Sequence, residues 1–215
     1  MRRITIALVA GLLLASLAGS ASAAAPAARG FLPADAQPHG ASLADLLTAW
    51  DAWAFSTPEA TNPVVAGRCE ASPDDPGIWF LPAAMGGESA LTCDVPQGVF
   101  VVTIVAGSIF SEVTGDGTGA AELRSLAEAD FELLTAAEAS LDGRAAAGLD
   151  RYAVTADPVM LPADNLLGPD PGLTVARGIA LVIAPLSPGT HTLRVYDAFA
   201  SYEFEAGIDF TIRVH

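Results

Sequence analysis

Three histidines, two cysteines, three tryptophans and a large excess of carboxylates are the residues in this chain able to do chemistry. His39, His191 and His215 lie far apart, and no H-E-x-x-H pair offers a zinc site. No G-x-S-x-G elbow marks a serine nucleophile, and no glycine loop is built to cradle phosphate. The chain has no lysine, which excludes Schiff-base chemistry and a lysine base. His191 sits in "APLSPGTHTLRVYD", where Pro188-Gly189 reads as a tight turn and Thr190 onward as a strand. At the first strand position it shares a face with Leu193 and Val195. There a neutral imidazole is satisfied by one hydrogen bond to a loop carbonyl, a structural role. Catalysis would need an acid or nucleophile within hydrogen-bond reach, and the sequence shows none.

The acids offer two further chemistries. "SEVTGDGTGAAE" places Glu112, Asp116 and Glu122 around glycines, a candidate calcium loop of oxygen ligands, although EF-hand spacing is absent. A carboxylate-pair hydrolase would need two acids facing each other across a cleft, and no pair among the 25 acids is singled out by sequence. Trp50 and Trp53 fall on one apolar helical face and Trp79 opens a strand. They read as core, or as a stacking platform for a sugar or peptide if exposed. Cys69 and Cys93 are an even pair. In an oxidising compartment they form one disulfide closing about 25 residues, worth roughly 3 kcal/mol in the chain-entropy picture. No organic cofactor is implied, and no metal site is firm.

The compartment follows from residues 1–23. Arg2-Arg3, an apolar run from Ile4 to Leu17, and Ala21-Ser22-Ala23 form a secretory signal pattern, with Ala25 as a second cleavage position. The run is too short to span a membrane as a helix, and no later run is long enough. The expected location is therefore secreted, periplasmic or cell-envelope. Removing residues 1–23 takes two arginines and leaves 8 basic against 25 acidic residues, a balance of −17. Such a surface repels phosphate backbones, so nucleic acid is not an expected partner. An envelope protein or a glycan remains as a possible ligand.

The elements that must position these residues can be read from periodicity. Residues 24–40 form an Ala/Pro/Gly-rich flexible lead-in. Ser42, with Asp45 three positions on, caps an amphipathic helix over about 43–54. A second helix is expected over about 120–135, with Leu134 on its apolar face. "GIWFLP", "ALTCDV", "GVFVVTIVAGSIF", "RYAVTA", "PVMLP", "LTVARGIALVIAP", "THTLRVYDA" and "IDFTIRV" read as strands, and "SLDGR" as a strand end with an Asp-Gly turn. Ile208, Phe210, Ile212 and Val214 alternate with polar residues, the pattern of a strand with one wet face. Residues 41–215 thus form one α+β, mainly β domain: an immunoglobulin-like β-sandwich core with an N-terminal amphipathic helix and a helical insertion.

"PLSPGTHTLRV" resembles the penultimate strand of bacterial immunoglobulin-like sandwiches. Taken with "AWDAWAFSTPEATNPV", "GRC…WFLP…CDVPQGV" and "SLDGR…RYAV", the chain resembles a family of exported bacterial proteins without assigned activity. The resemblance spans most of residues 43–214. It implies export, the cysteine pairing and a single domain, and transfers no catalytic residue. The expected role is an exported, non-catalytic binding or structural module. The alternatives are a carboxylate-pair hydrolase and a calcium-stabilised adhesion module.

Overall fold

The computed structural model describes residues 30–200 and 204–215. The expected signal segment 1–23 lies outside them, as does the expected lead-in as far as residue 29. Residues 30–32 do not behave as a loose lead-in. They run beside the end of a central strand: Leu32 N donates to the Val182 carbonyl at 2.8 Å, and Ala184 N donates to the Gly30 carbonyl at 3.0 Å. Tyr152 Oη adds a bond to the Leu32 carbonyl at 2.9 Å. Backbone pairing here outweighs the sequence's weak local preference.

Helix α1 (Leu43–Phe55) starts at the expected cap. Ser42 N donates to Asp45 Oδ2 at 2.8 Å and Asp45 N donates to Ser42 Oγ at 3.2 Å, so two orphan amides are satisfied reciprocally. Strands β1 (Glu70–Ala71), β2 (Ile78–Phe80), β3 (Gly87–Val95) and β4 (Phe100–Ser111) follow. Helix α2 (Gly119–Phe131) is shorter than expected. Leu134 opens β5 (Leu134–Leu141) instead of extending the helix, because this segment pairs along β10. Sheet pairing overrides a helical propensity worth only tenths of a kcal/mol per residue. The remaining strands are β6 (Arg144–Ala145), β7 (Ala153–Thr155), β8 (Val159–Leu161), β9 (Gly172–Ile183), β10 (Gly189–Phe199) and β11 (Phe204–Val214).

The chain is α+β and mainly β, with two sheets. One runs β1-β2-β4-β9-β7, with β8 also on β9; the other runs β3-β11-β10-β5-β6. Pairs β2/β4 and β3/β11 are parallel and the rest antiparallel. Side chains of both sheets and of α1 share one apolar core. The terminal hairpin buries Ile208, Phe210 and Ile212 to within 2% of full burial. Its other face pairs Arg194 with Glu88 and Asp209, and Arg213 with Asp94. These exposed pairs contribute little stability each.

β4 and β9 are buried along most of their length. Their ladder shifts register between Ile104 and Ala106. Beside that bulge, Gly178 opposes Gly107, and a Cβ on Gly178 would stand 2.7 Å from the Ala106 carbonyl oxygen. The two strands approach so closely there that only glycine fits. Cys69 and Cys93 form the disulfide, tying the segment before β1 to β3 with their Cα atoms 5.6 Å apart. Among the described residues, no helix is long and apolar enough to cross a membrane, which says nothing of a β-barrel.

Candidate functional site

α1, the segment after β2, and strands β4, β9, β10 and β11 surround a cavity of about 280 Å³. Its wall is mostly apolar, with Trp50, Phe55, Ile104 and Val195 in it. Met85, also in the lining, is 64% exposed and marks the rim. Two carboxyl groups from distant parts of the chain belong to this wall: Asp51 of α1 and Asp197 of β10.

Asp51 follows Leu47 and precedes Phe55 at four-residue spacing, so helical geometry turns it inward with them. It is fully buried. Neither carboxylate oxygen has a hydrogen-bond partner among the described residues. Desolvation alone pushes its pKa up to about 7. Asp197 occupies the inward parity of β10, in register with Leu193, Val195 and Phe199. It is 6% exposed, and burial likewise pushes it up to about 7. Both acids therefore hold a proton for much of the time at neutral pH.

Arg177 of β9 is the cation of the wall. Its guanidinium lies 5.2 Å from the Phe131 ring centroid and donates through Nη1 to Thr155 Oγ1 at 3.0 Å. Ser108, also in the wall, donates to Asp130 Oδ2 of α2 at 2.7 Å. Both acids were missed by sequence motifs, but each leaves a signal. A carboxylate at an apolar helical position, or at the inward parity of a strand, is a buried acid in waiting.

His191 does find an acid. Its Nδ1 lies 2.7 Å from Asp142 Oδ2, and its Nε2 lies 3.0 Å from the Ser187 carbonyl and 3.4 Å from Ser187 Oγ. Asp142 Oδ1 also accepts from Thr192 N at 2.9 Å. The group lines a broad surface cleft of about 980 Å³. Serine, histidine and aspartate lie in the order of a nucleophilic relay, but the bonding is that of a clamp. A general base must offer Nε2's lone pair to the hydroxyl. Here Nε2 faces the carbonyl and Nδ1 the carboxylate, two acceptors, a setting that favours the ring carrying both protons. Burial opposes that charge, and the bonds to Asp142 and Ser187 outweigh it, raising the histidine's pKa. Asp142 has φ +50° and Gly143 φ +74°, so the clamp fastens the left-handed β5–β6 turn to β10. The expected bond to a loop carbonyl is present, at Ser187, and the structure adds a carboxylate from 49 residues away that raises the ring's pKa.

The other expected sites do not assemble. Glu112 accepts from the amides of Gly119 and Leu173 at 2.7 and 3.0 Å. Asp116 accepts from Ser111 N and Thr114 Oγ1, and Glu122 from the amide and hydroxyl of Thr118. Asp116 and Glu122 are bonded within their own loop, Glu112 also across to β9, and among the described residues no group of three His, Cys, Asp or Glu could hold a metal. Trp50 and Trp53 are 5% and 8% exposed, which removes them as a wet stacking platform. Trp50 Nε1 donates to the Leu81 carbonyl at 2.8 Å. Trp79 is half-buried, with its Nε1 unpartnered among the described residues.

No protein-family model matches the chain, and no curated protein or solved structure is significantly similar to it.

Proposed function

We propose that this protein is an exported binding module that holds a small, largely apolar molecule in the cavity beside Asp51 and Asp197. The observation that carries this reading is Asp51, fully buried in the wall with both oxygens unpartnered. A purely structural core gains nothing from such a group and loses about 1–3 kcal/mol or more by desolvating it. At about 280 Å³ the cavity falls near the lower end of the range for small-molecule sites, and its few polar groups in an apolar lining are typical of one. Export rests on the signal pattern of residues 1–23 and is supported by the disulfide. The finer immunoglobulin-like reading draws on the two-sheet core and terminal hairpin, and the kinship with exported bacterial proteins on the sequence resemblance alone.

Titrating the mature protein with small cyclic hydrocarbon alcohols, followed by amide NMR, tests the reading. Saturable shifts confined to α1, residues 83–85 and the lining stretches of β4, β9, β10 and β11 are expected, and Ala84→Trp should abolish them. No saturable shift in the folded wild type refutes it.

A second reading is favoured by the same pair: a carboxylate-pair hydrolase with one acid protonated and the other ionised. It requires turnover of a chromogenic glycoside or ester that Asp51→Asn and Asp197→Asn each abolish. Absence of turnover across both substrate classes removes it.

A further inference from the structure

We propose that the ligand is an apolar monocation, an amine whose ammonium group is shared by Asp51 and Asp197 while its hydrocarbon body fills the cavity. The inference rests on the cavity-binding reading and adds the ligand's charge.

The wall itself supplies the argument. Both carboxyl groups stand among apolar side chains, and neither Asp51 oxygen is hydrogen-bonded among the described residues. A neutral hydrocarbon would fill the space and leave those acceptors as they are. An anion would stand against two carboxyl groups in a setting of low dielectric constant, where repulsion is strong. An ammonium brings three N–H donors and one positive charge, which is the complement of acid oxygens without donors.

The charge inventory fixes the ligand's valence. The charged groups in or just behind the wall are Asp51 on α1, Asp197 on β10, Arg177 on β9, and Asp130 on α2 through its bond from Ser108. Arg177 is positioned by Phe131 and Thr155 while its Nε has no partner among the described residues, so one positive charge and one free donor are already present. A divalent metal needs more oxygen ligands than two, and no cluster of three exists among the described residues. Counting the lining groups alone, two carboxyl groups against one guanidinium, one further positive charge balances the wall.

Proton linkage adds a signature. Both acids titrate near neutrality when the cavity is empty. An ammonium stabilises their ionised forms, so binding expels a proton and tightens as pH rises toward about 7.5, by up to about tenfold per pH unit for each proton released.

The test is a matched set of probes: cyclohexylmethylamine, cyclohexylmethanol and cyclohexanecarboxylate. Each is titrated by calorimetry into the mature wild type, Asp51→Asn and Asp197→Asn, with circular dichroism confirming that each variant is folded. The amine is expected to bind the wild type at least about tenfold more tightly than the alcohol near pH 7.5. It should release protons in buffers of different ionisation enthalpy, and its advantage should vanish in Asp197→Asn. Equal or tighter binding of the alcohol overturns the cation inference and leaves the cavity reading standing. Tightest binding by the carboxylate overturns it in favour of Arg177. Failure of all three to bind overturns both readings. Should Asp51→Asn fail to fold, the Asp197→Asn comparison and the proton release decide alone.

Discussion

Replacing Asp51 with Asn should make the protein's stability markedly less dependent on pH. The side chain is fully buried, and burial alone shifts its titration from 3.8 to about 7. Because the folded state keeps the proton that the unfolded state gives up, stability is greatest below about pH 4. It falls as pH rises toward about 7 and then levels off. At ~1.4 kcal/mol per pH unit, this one group withdraws about 4 kcal/mol across that window. Asparagine has nearly the same shape and does not ionise. Asp197 remains in both proteins, so its own pH dependence cancels when the two curves are subtracted, apart from any coupling within the cavity. Urea unfolding at several pH values between about 4 and about 7.5 gives the two curves. The gain of Asp51→Asn over wild type should grow by about 4 kcal/mol from the acid end to the neutral end. A difference that stays constant within about 1 kcal/mol would mean that water or a counter-charge reaches Asp51, and the account of the cavity would fail with it.

The clamp behaves in the opposite sense. His191 has a raised pKa, so its contribution is full below its unfolded value near 6.5 and is lost as pH rises through its folded value. Asp142→Asn should remove that dependence, cost roughly 1 kcal/mol given the exposure of Asp142, and leave ligand binding in the cavity unchanged. An NMR titration of the His191 ring checks the first point; an unshifted ring pKa in the wild type refutes the clamp. Gly178→Ala should destabilise by roughly 2 kcal/mol or more, since the new methyl meets backbone at the bulge. A neutral effect in thermal melts would contradict the close strand approach. Replacing both cysteines with serine should cost roughly 3 kcal/mol, and mass spectrometry with and without reductant should find no alkylatable thiol in the native wild type.

Much of the frame could be read locally. The Ser42–Asp45 cap, the alternation through Val214 and the cysteine pair each depend on residues close in sequence or on simple parity, and the structure has all three. Leu134 misled because its helical spacing continues that of α2, while its pairing along β10 appears only in three dimensions. The acids of 112–122 are close in sequence but bond separately: Asp116 and Glu122 accept from groups two to five residues away, while Glu112 also reaches Leu173 N, 61 residues on.

Periodicity and composition therefore determined most of the elements and the cysteine pairing, because helix and strand periods and an even pair of cysteines belong to the chain itself. The placement of Asp51 and Asp197 in one cavity wall, and the bond between Asp142 and His191, were decided by tertiary structure alone. Each pairing joins elements far apart along the chain, and the desolvation that gives the two cavity acids their chemistry arises only when α1, β4 and β10 enclose them.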